Sequence, residues 1–240
     1  MIEFRELTDD NPVLQLSPLL RAARHTMEFA AEQNGIGLTA TKAFQRKFVH
    51  WAVEQVEWPG FGLEEAFSVS KVVNEYEFLP IQIVHFLLLQ RKLGRHYKGK
   101  FLLTKKGKDL LKTPAQLFHE LMPFFILKVD HSSYARLDEW PIGNWDVWLN
   151  VMNVELEAGL TEKQIYGLFY GEGPDWGNAG WREMAVFSSY VLKPLEWAGL
   201  VSVHEFEGGD GRSWMHFKTP LWGEALRLET DKMVKAVVRH

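Results

Sequence analysis

Leu93-Gly94-Arg95-His96-Tyr97-Lys98-Gly99-Lys100-Phe101-Leu102-Leu103-Thr104-Lys105-Lys106-Gly107 decides the fold. Two short runs, Arg95–Tyr97 and Lys100–Leu103, flank Lys98-Gly99, and a tight hairpin is the economical reading of that spacing. Thr104 then stands where a helix N-cap is wanted, ahead of a segment bearing Leu110 and Leu111. Upstream, Leu79-Pro80 opens a strongly apolar helix that is expected to reach about Leu93 and to stop at Gly94.

The same order recurs later. A long helix from Trp181 to Trp197 meets Gly199, strands are expected over Leu200–Glu205 and Trp214–Lys218, and Thr219-Pro220 opens a last helix through Ala225, Leu226 and Leu228. Gly107 is matched here with Gly223, one residue farther from its threonine.

The remaining elements follow from caps and periodicity. Ser17-Pro18 starts a helix that Asn34-Gly35 ends. Ile36–Thr39 is extended, Thr41–Gln55 and Glu64–Asn74 read as helices, and Thr113-Pro114-Ala115-Gln116 looks like a capping box. The stretch from Asp130 to Asn144 reads as a connection, Trp145–Glu157 as a helix, and Thr161–Gln164 as a capping box opening a helix to about Tyr170. Gly171–Gly180, with four glycines and a proline, reads as a loop in which Glu172, Asp175 and Trp176 could form a small-ligand site.

Helix, glycine-turned hairpin and a Leu-Thr-x-x-Gly step, here Leu103-Thr104-Lys105-Lys106-Gly107, resemble the winged helix-turn-helix superfamily. The Leu38-Thr39 and Arg46-Lys47 spacing is similar to an uncharacterised family of bacterial proteins. The resemblance implies a mainly α fold with small β-hairpins, a tandem winged helix with extra N-terminal and linking helices. Its expected parts are an N-terminal extension over 1–34, a first winged-helix unit over 35–112, a linking helix and connection over 113–144, and a second unit over 145–240. It also implies a double-stranded DNA partner, with the long helix in the major groove and the wing against phosphates.

Charge bears on that expectation. The net charge is −4, yet Arg91–Lys112 holds nine basic residues and one acid, Asp109. Arg91, Lys92, Arg95, His96, Lys98, Lys100, Lys105 and Lys106 are the expected DNA contacts, each cation releasing counterions. A lysine-rich hairpin edge can equally be a soluble edge that resists strand pairing. Two features oppose DNA. The helix before the first hairpin offers base edges only Gln82, His85 and Gln90. The second hairpin carries Glu205, Glu207 and Asp210 against Arg212, although its helix has Arg182, Ser188, Ser189 and Lys193. The alternative is a protein-interaction or scaffolding module, with a partner or a second copy held through the Trp-rich second half; eight of ten tryptophans lie from Trp140 onward. Those tryptophans could instead fill the second core.

No metalloprotease, phosphate-loop or nucleophile-elbow motif is present, so no enzyme and no cofactor are expected. His204 and His216 fall on facing strands, but no third metal ligand is apparent. There is no cysteine, no apolar run approaches the roughly 20 residues of a membrane span, and residues 1–6 lack a secretory pattern, so a cytoplasmic location is expected.

Overall fold

A computed structural model describes residues 2–67, 72–134, 139–171, 180–208 and 211–237. Glu172, Asp175, Trp176 and Asp210, and the side chains of Glu207 and Arg212, lie outside the described residues. The chain is mainly helical with small antiparallel sheets. It forms two compact units: residues 6–122, and residues 1–5 together with 123–240. No described helix is long and apolar enough to cross a membrane.

In chain order the elements begin with β1 (Glu3–Phe4), which belongs to the second unit. The first unit then runs α1 (Pro18–Glu32), β2 (Ile36–Gly37), α2 (Arg46–Gln55), α3 (Leu63–Phe67), α4 (Leu79–Gln90), β3 (Gly94–Tyr97), β4 (Lys100–Leu103) and α5 (Lys105–Leu110) into α6 (Pro114–Lys128). The Ser17 hydroxyl accepts the Leu20 N–H, which fixes the start of α1. One face of α1 then buries Leu19, Leu20, Ala23, Met27 and Ala30. Phe44, Phe48, Ile81, Val84, Leu87, Leu88 and Phe101 complete this core. The sheet order is β2-β4-β3, so the hairpin's second strand is central.

Two helix boundaries differ from the sequence reading. Thr41–Gln45 is not helical: Lys42 is left-handed at φ 66°, the Thr39 hydroxyl accepts the Ala43 N–H, and Leu38 bridges Phe44. The start of α2 is thus delayed to Arg46 by a local side-chain turn that competes with the helix. Of the helix expected over Glu64–Asn74, Leu63–Phe67 is helical, residues 68–71 lie outside the described residues, and residues 72–74 are not helical, Asn74 instead capping a 3-10 turn over Glu75–Glu77. At α6, Asp9 takes the Ala115 N–H, while Thr113 donates to Gln116.

The second unit runs α7 (Trp145–Glu155), β5 (Leu160–Thr161), α8 (Glu162–Tyr170), α9 (Gly180–Phe187), α10 (Lys193–Ala198), β6 (Val201–Gly208), β7 (Gly211–Lys218), α11 (Pro220–Ala225), β8 (Leu226–Arg227) and α12 (Asp231–Val237). Asn144 caps α7, and Thr161 with Gln164 forms the expected capping box. A π turn over Ser188–Leu192 joins α9 to α10. Pro194 explains it: the residue has no N–H to offer, and its ring crowds the carbonyl four residues back. Trp148, Phe187, Val191, Leu195, Trp197 and Trp222 fill this core, whereas Trp140, Trp181 and Trp214 are more than half exposed. The tryptophans therefore divide between core and surface. The sheet order is β5-β7-β6, and β1 pairs with β8.

Both units follow one path, held by the same bonds. Leu93 N–H reaches Leu88 O, and Leu200 N–H reaches Leu195 O. Thr104 N–H bonds Leu93 O, and Thr219 N–H bonds Leu200 O. The hydroxyl of Thr104 donates to Lys92 and Leu93 carbonyls, as that of Thr219 does to Gly199 and Leu200. Thr219 therefore staples the hairpin's two ends rather than capping α11 by its side chain. The glycines do not correspond. Lys92 (φ 58°) takes the left-handed place that Gly199 (φ 82°) holds, and Gly94 is already in β3.

Candidate nucleic-acid interface

The basic hairpin is short and tightly turned. Lys98 and Gly99 both have positive φ, 47° and 72°, as a two-residue turn matched to strand twist requires. The register pairs Tyr97 with Lys100, His96 with Phe101, and Arg95 with Leu102. Cross-strand partners share a face. Arg95, Tyr97, Lys100 and Leu102 consequently form the outer face, and His96, Phe101 and Leu103 the inner one. Tyr97 is 48% exposed, with the Arg95 guanidinium 5.4 Å and the Lys98 ammonium 5.3 Å from its ring centroid.

His96 therefore does not join the phosphate-facing set expected from the sequence. Its Nε2 lies 2.8 Å from His85 Nε2, and His85 Nδ1 lies 2.7 Å from Glu75 Oε1. The carboxylate can only accept, so His85 Nδ1 carries a proton and, with both rings neutral, His96 Nε2–H donates to His85. Glu75 Oε2 accepts the Phe44 N–H, and the Phe44 ring stacks on His85 at 3.8 Å between centroids. Glu75 and His85 are buried. Partial burial, then the neighbouring His85 and Lys42, push the pKa of His96 below the ordinary histidine value. This chain of groups ties β3 to α4 and holds the hairpin from its inner side. Sequence reading missed it because Glu75 and His96 are 21 residues apart and no local motif joins them.

Two further expected contacts are already engaged. Glu120 on α6 accepts from Arg91 (Nη2 at 2.7 Å) and from Lys106 (Nζ at 2.7 Å). Lys92, Arg95, Lys98, Lys100 and Lys105 are exposed, and among the described residues none has a carboxylate within salt-bridge distance, although Lys100 Nζ reaches the Asn34 carbonyl at 3.3 Å. The hairpin is thus a patch of uncompensated cations with Glu120 at its border.

The preceding helix is a poor reader of bases. α4 buries Pro80, Ile81, Ile83, Val84, His85, Leu87 and Leu88, and of the positions it leaves at least partly exposed, Leu79, Gln82, Phe86, Leu89 and Gln90, two are polar. The second hairpin differs. Its register sets His204 opposite Met215 and Val203 opposite His216, so the two histidines point to opposite faces and form no pair. His204 is exposed beside Phe217, while His216 is buried. Among the described residues no group of three or more His, Asp or Glu could hold a metal. On the helix before this hairpin, Arg182 is paired with Glu139 at 2.7 Å.

Two family models cover most of the same chain: the Y4jL N-terminal domain over residues 15–116 and the y4jL C-terminal domain over residues 135–220. The chain is also 36% identical over 175 residues, 71% of its length and 78% of the other protein's, to "Uncharacterized protein y4jL" of Sinorhizobium fredii (strain NBRC 101917 / NGR234). The chain belongs to the Y4jL family. No solved structure matches. In this Y4jL-family chain the N-terminal match spans α1 through the first turn of α6 and so includes the basic hairpin, the Glu75–His85–His96 chain and α4. The C-terminal match ends at Pro220, before β8 and α12.

Proposed function

We propose that this protein binds double-stranded DNA through the first of two winged-helix units, whose hairpin grips the phosphate backbone. The order helix, strand, helix, helix, hairpin, with the early strand paired to the hairpin's second strand in both units, supports the winged-helix reading. The observation that carries the DNA reading is the cluster Lys92, Arg95, Lys98, Lys100 and Lys105, exposed and without carboxylate partners among the described residues. Because α4 turns so few polar groups outward, binding is directed at the backbone and largely indifferent to sequence.

The test is duplex binding by fluorescence anisotropy across a salt series. Neutralising Arg95, Lys98 and Lys100 with glutamine removes three phosphate contacts. The slope of log K against log salt should then fall by about 2.7, and affinity near 0.1 M salt should drop by roughly two orders of magnitude. No binding of the parent chain at low salt refutes the proposal. Glu120→Gln should act the other way: it removes the carboxylate from Lys106, raises affinity several-fold and steepens the salt slope by up to about 1.

A second reading, a protein-interaction module, is supported by the second hairpin, where Phe206 is 46% and Trp214 58% exposed.

A further inference from the structure

The outer face of the first hairpin is more than a row of cations. Tyr97 is the last residue before the two-residue turn, half exposed, with Arg95 and Lys98 beside its ring and Lys100 opposite it. An aromatic face flanked by positive charge matches what unpaired nucleobases want: a stacking platform for the base and cations for its phosphates. The strand under it is held rigidly, because His96 next to Tyr97 is hydrogen-bonded through His85 to the buried Glu75. A stiff hairpin with an aromatic tip can enter a duplex end without folding away. α4, whose outward polar side chains are Gln82 and Gln90 alone, offers few groups for reading a closed groove.

We infer that the preferred ligand of this hairpin is DNA with an unpaired base at a duplex junction, a fork or tailed end, with Tyr97 stacking on that base while Arg95, Lys98 and Lys100 hold the adjoining phosphates. This rests on the DNA-binding reading above and narrows its substrate class. At an exposed site the cation–π contacts of Tyr97 are weaker than the stacking of a base on an aromatic ring, and the two cations gain phosphate partners as they leave the ring. The exchange therefore favours the bound base.

The experiment uses the full chain and two labelled DNAs of equal phosphate number, one a blunt duplex and one a fork carrying 2-aminopurine at the junction. The fork should bind about tenfold more tightly than the duplex, and 2-aminopurine fluorescence should be quenched on binding. Tyr97→Ala should abolish the quenching and bring the fork's affinity down to that of the duplex measured with the same variant. Tyr97→Phe should keep both the preference and the quenching, which separates stacking from a folding defect. Equal binding of fork and duplex, or a fork preference that survives Tyr97→Ala, overturns the inference and leaves phosphate binding standing. Binding of neither DNA overturns both.

Discussion

Replacing Gly107 by alanine is expected to cost about 3 kcal/mol in the stability of the first unit, and the same change at Gly223 almost nothing. A Cβ on Gly107 would stand 2.1 Å from the carbonyl oxygen of Leu93, which is backbone and cannot swing aside. That carbonyl also accepts the N–H and the hydroxyl proton of Thr104, the bonds that close the base of the hairpin. Making room for a methyl group therefore means opening the staple between α4 and α5. A Cβ on Gly223 meets nothing within 4 Å, and in α11 alanine is the better helix former, so Gly223→Ala should be neutral or slightly stabilising. Urea unfolding of the two variants beside the parent checks the contrast; equal midpoints would refute the packing argument. The same comparison tests which residues correspond between the units. Three residues past its threonine the first unit has Gly107 and the second has Trp222, buried with its indole N–H on Asn153 Oδ1 at 2.9 Å.

Acid should weaken the second unit through His131. This side chain is fully buried among Phe125, Trp145 and Tyr190. Burial pushes its pKa down to about 4, against smaller opposing contributions from the Phe125 and Ile126 carbonyls and Asp130. The neutral ring is the folded form. The unfolded chain takes up a proton near pH 6.5, the folded one only near pH 4, so between those values the unfolded state binds more protons. Stability is therefore complete above about pH 6.5, falls as pH drops through that window, and levels below about pH 4. The lowering from the ordinary 6.5 to about 4 corresponds to a loss of about 3 kcal/mol. Urea midpoints at pH 7 and pH 4 should show this difference, and His131→Gln should be less stable at pH 7 with a flatter pH profile. A parent chain and variant with parallel profiles would refute the assignment.

For the proposed site, sequence reading identified the hairpin, its turn and its cations, because Lys98-Gly99 between two strand-forming runs is a local signal. It could not tell inward from outward. His96 and Tyr97 are neighbours in the sequence, yet one is bonded into a buried chain and the other faces solvent, a distinction set by register against Phe101 and Lys100. Nor could it foresee that Glu120, on a helix beyond the hairpin, would hold Arg91 and Lys106.

The amino-acid order alone determined where helices begin and hairpins turn, because Ser17, Thr104, Asn144 and the Thr161–Gln164 box act over one helical turn, and Lys98-Gly99 over two residues. It also determined that the path is used twice. Only the tertiary structure decided which residues correspond. The glycines invite pairing, yet Gly94 is required by the ring of Phe101 and Gly199 by a left-handed helix end, and it is Leu93 with Leu200 and Thr104 with Thr219 that share hydrogen bonds. The reason is physical: a glycine records only that a side chain would not fit or that φ is positive, and what crowds it or turns it comes from residues brought near by folding.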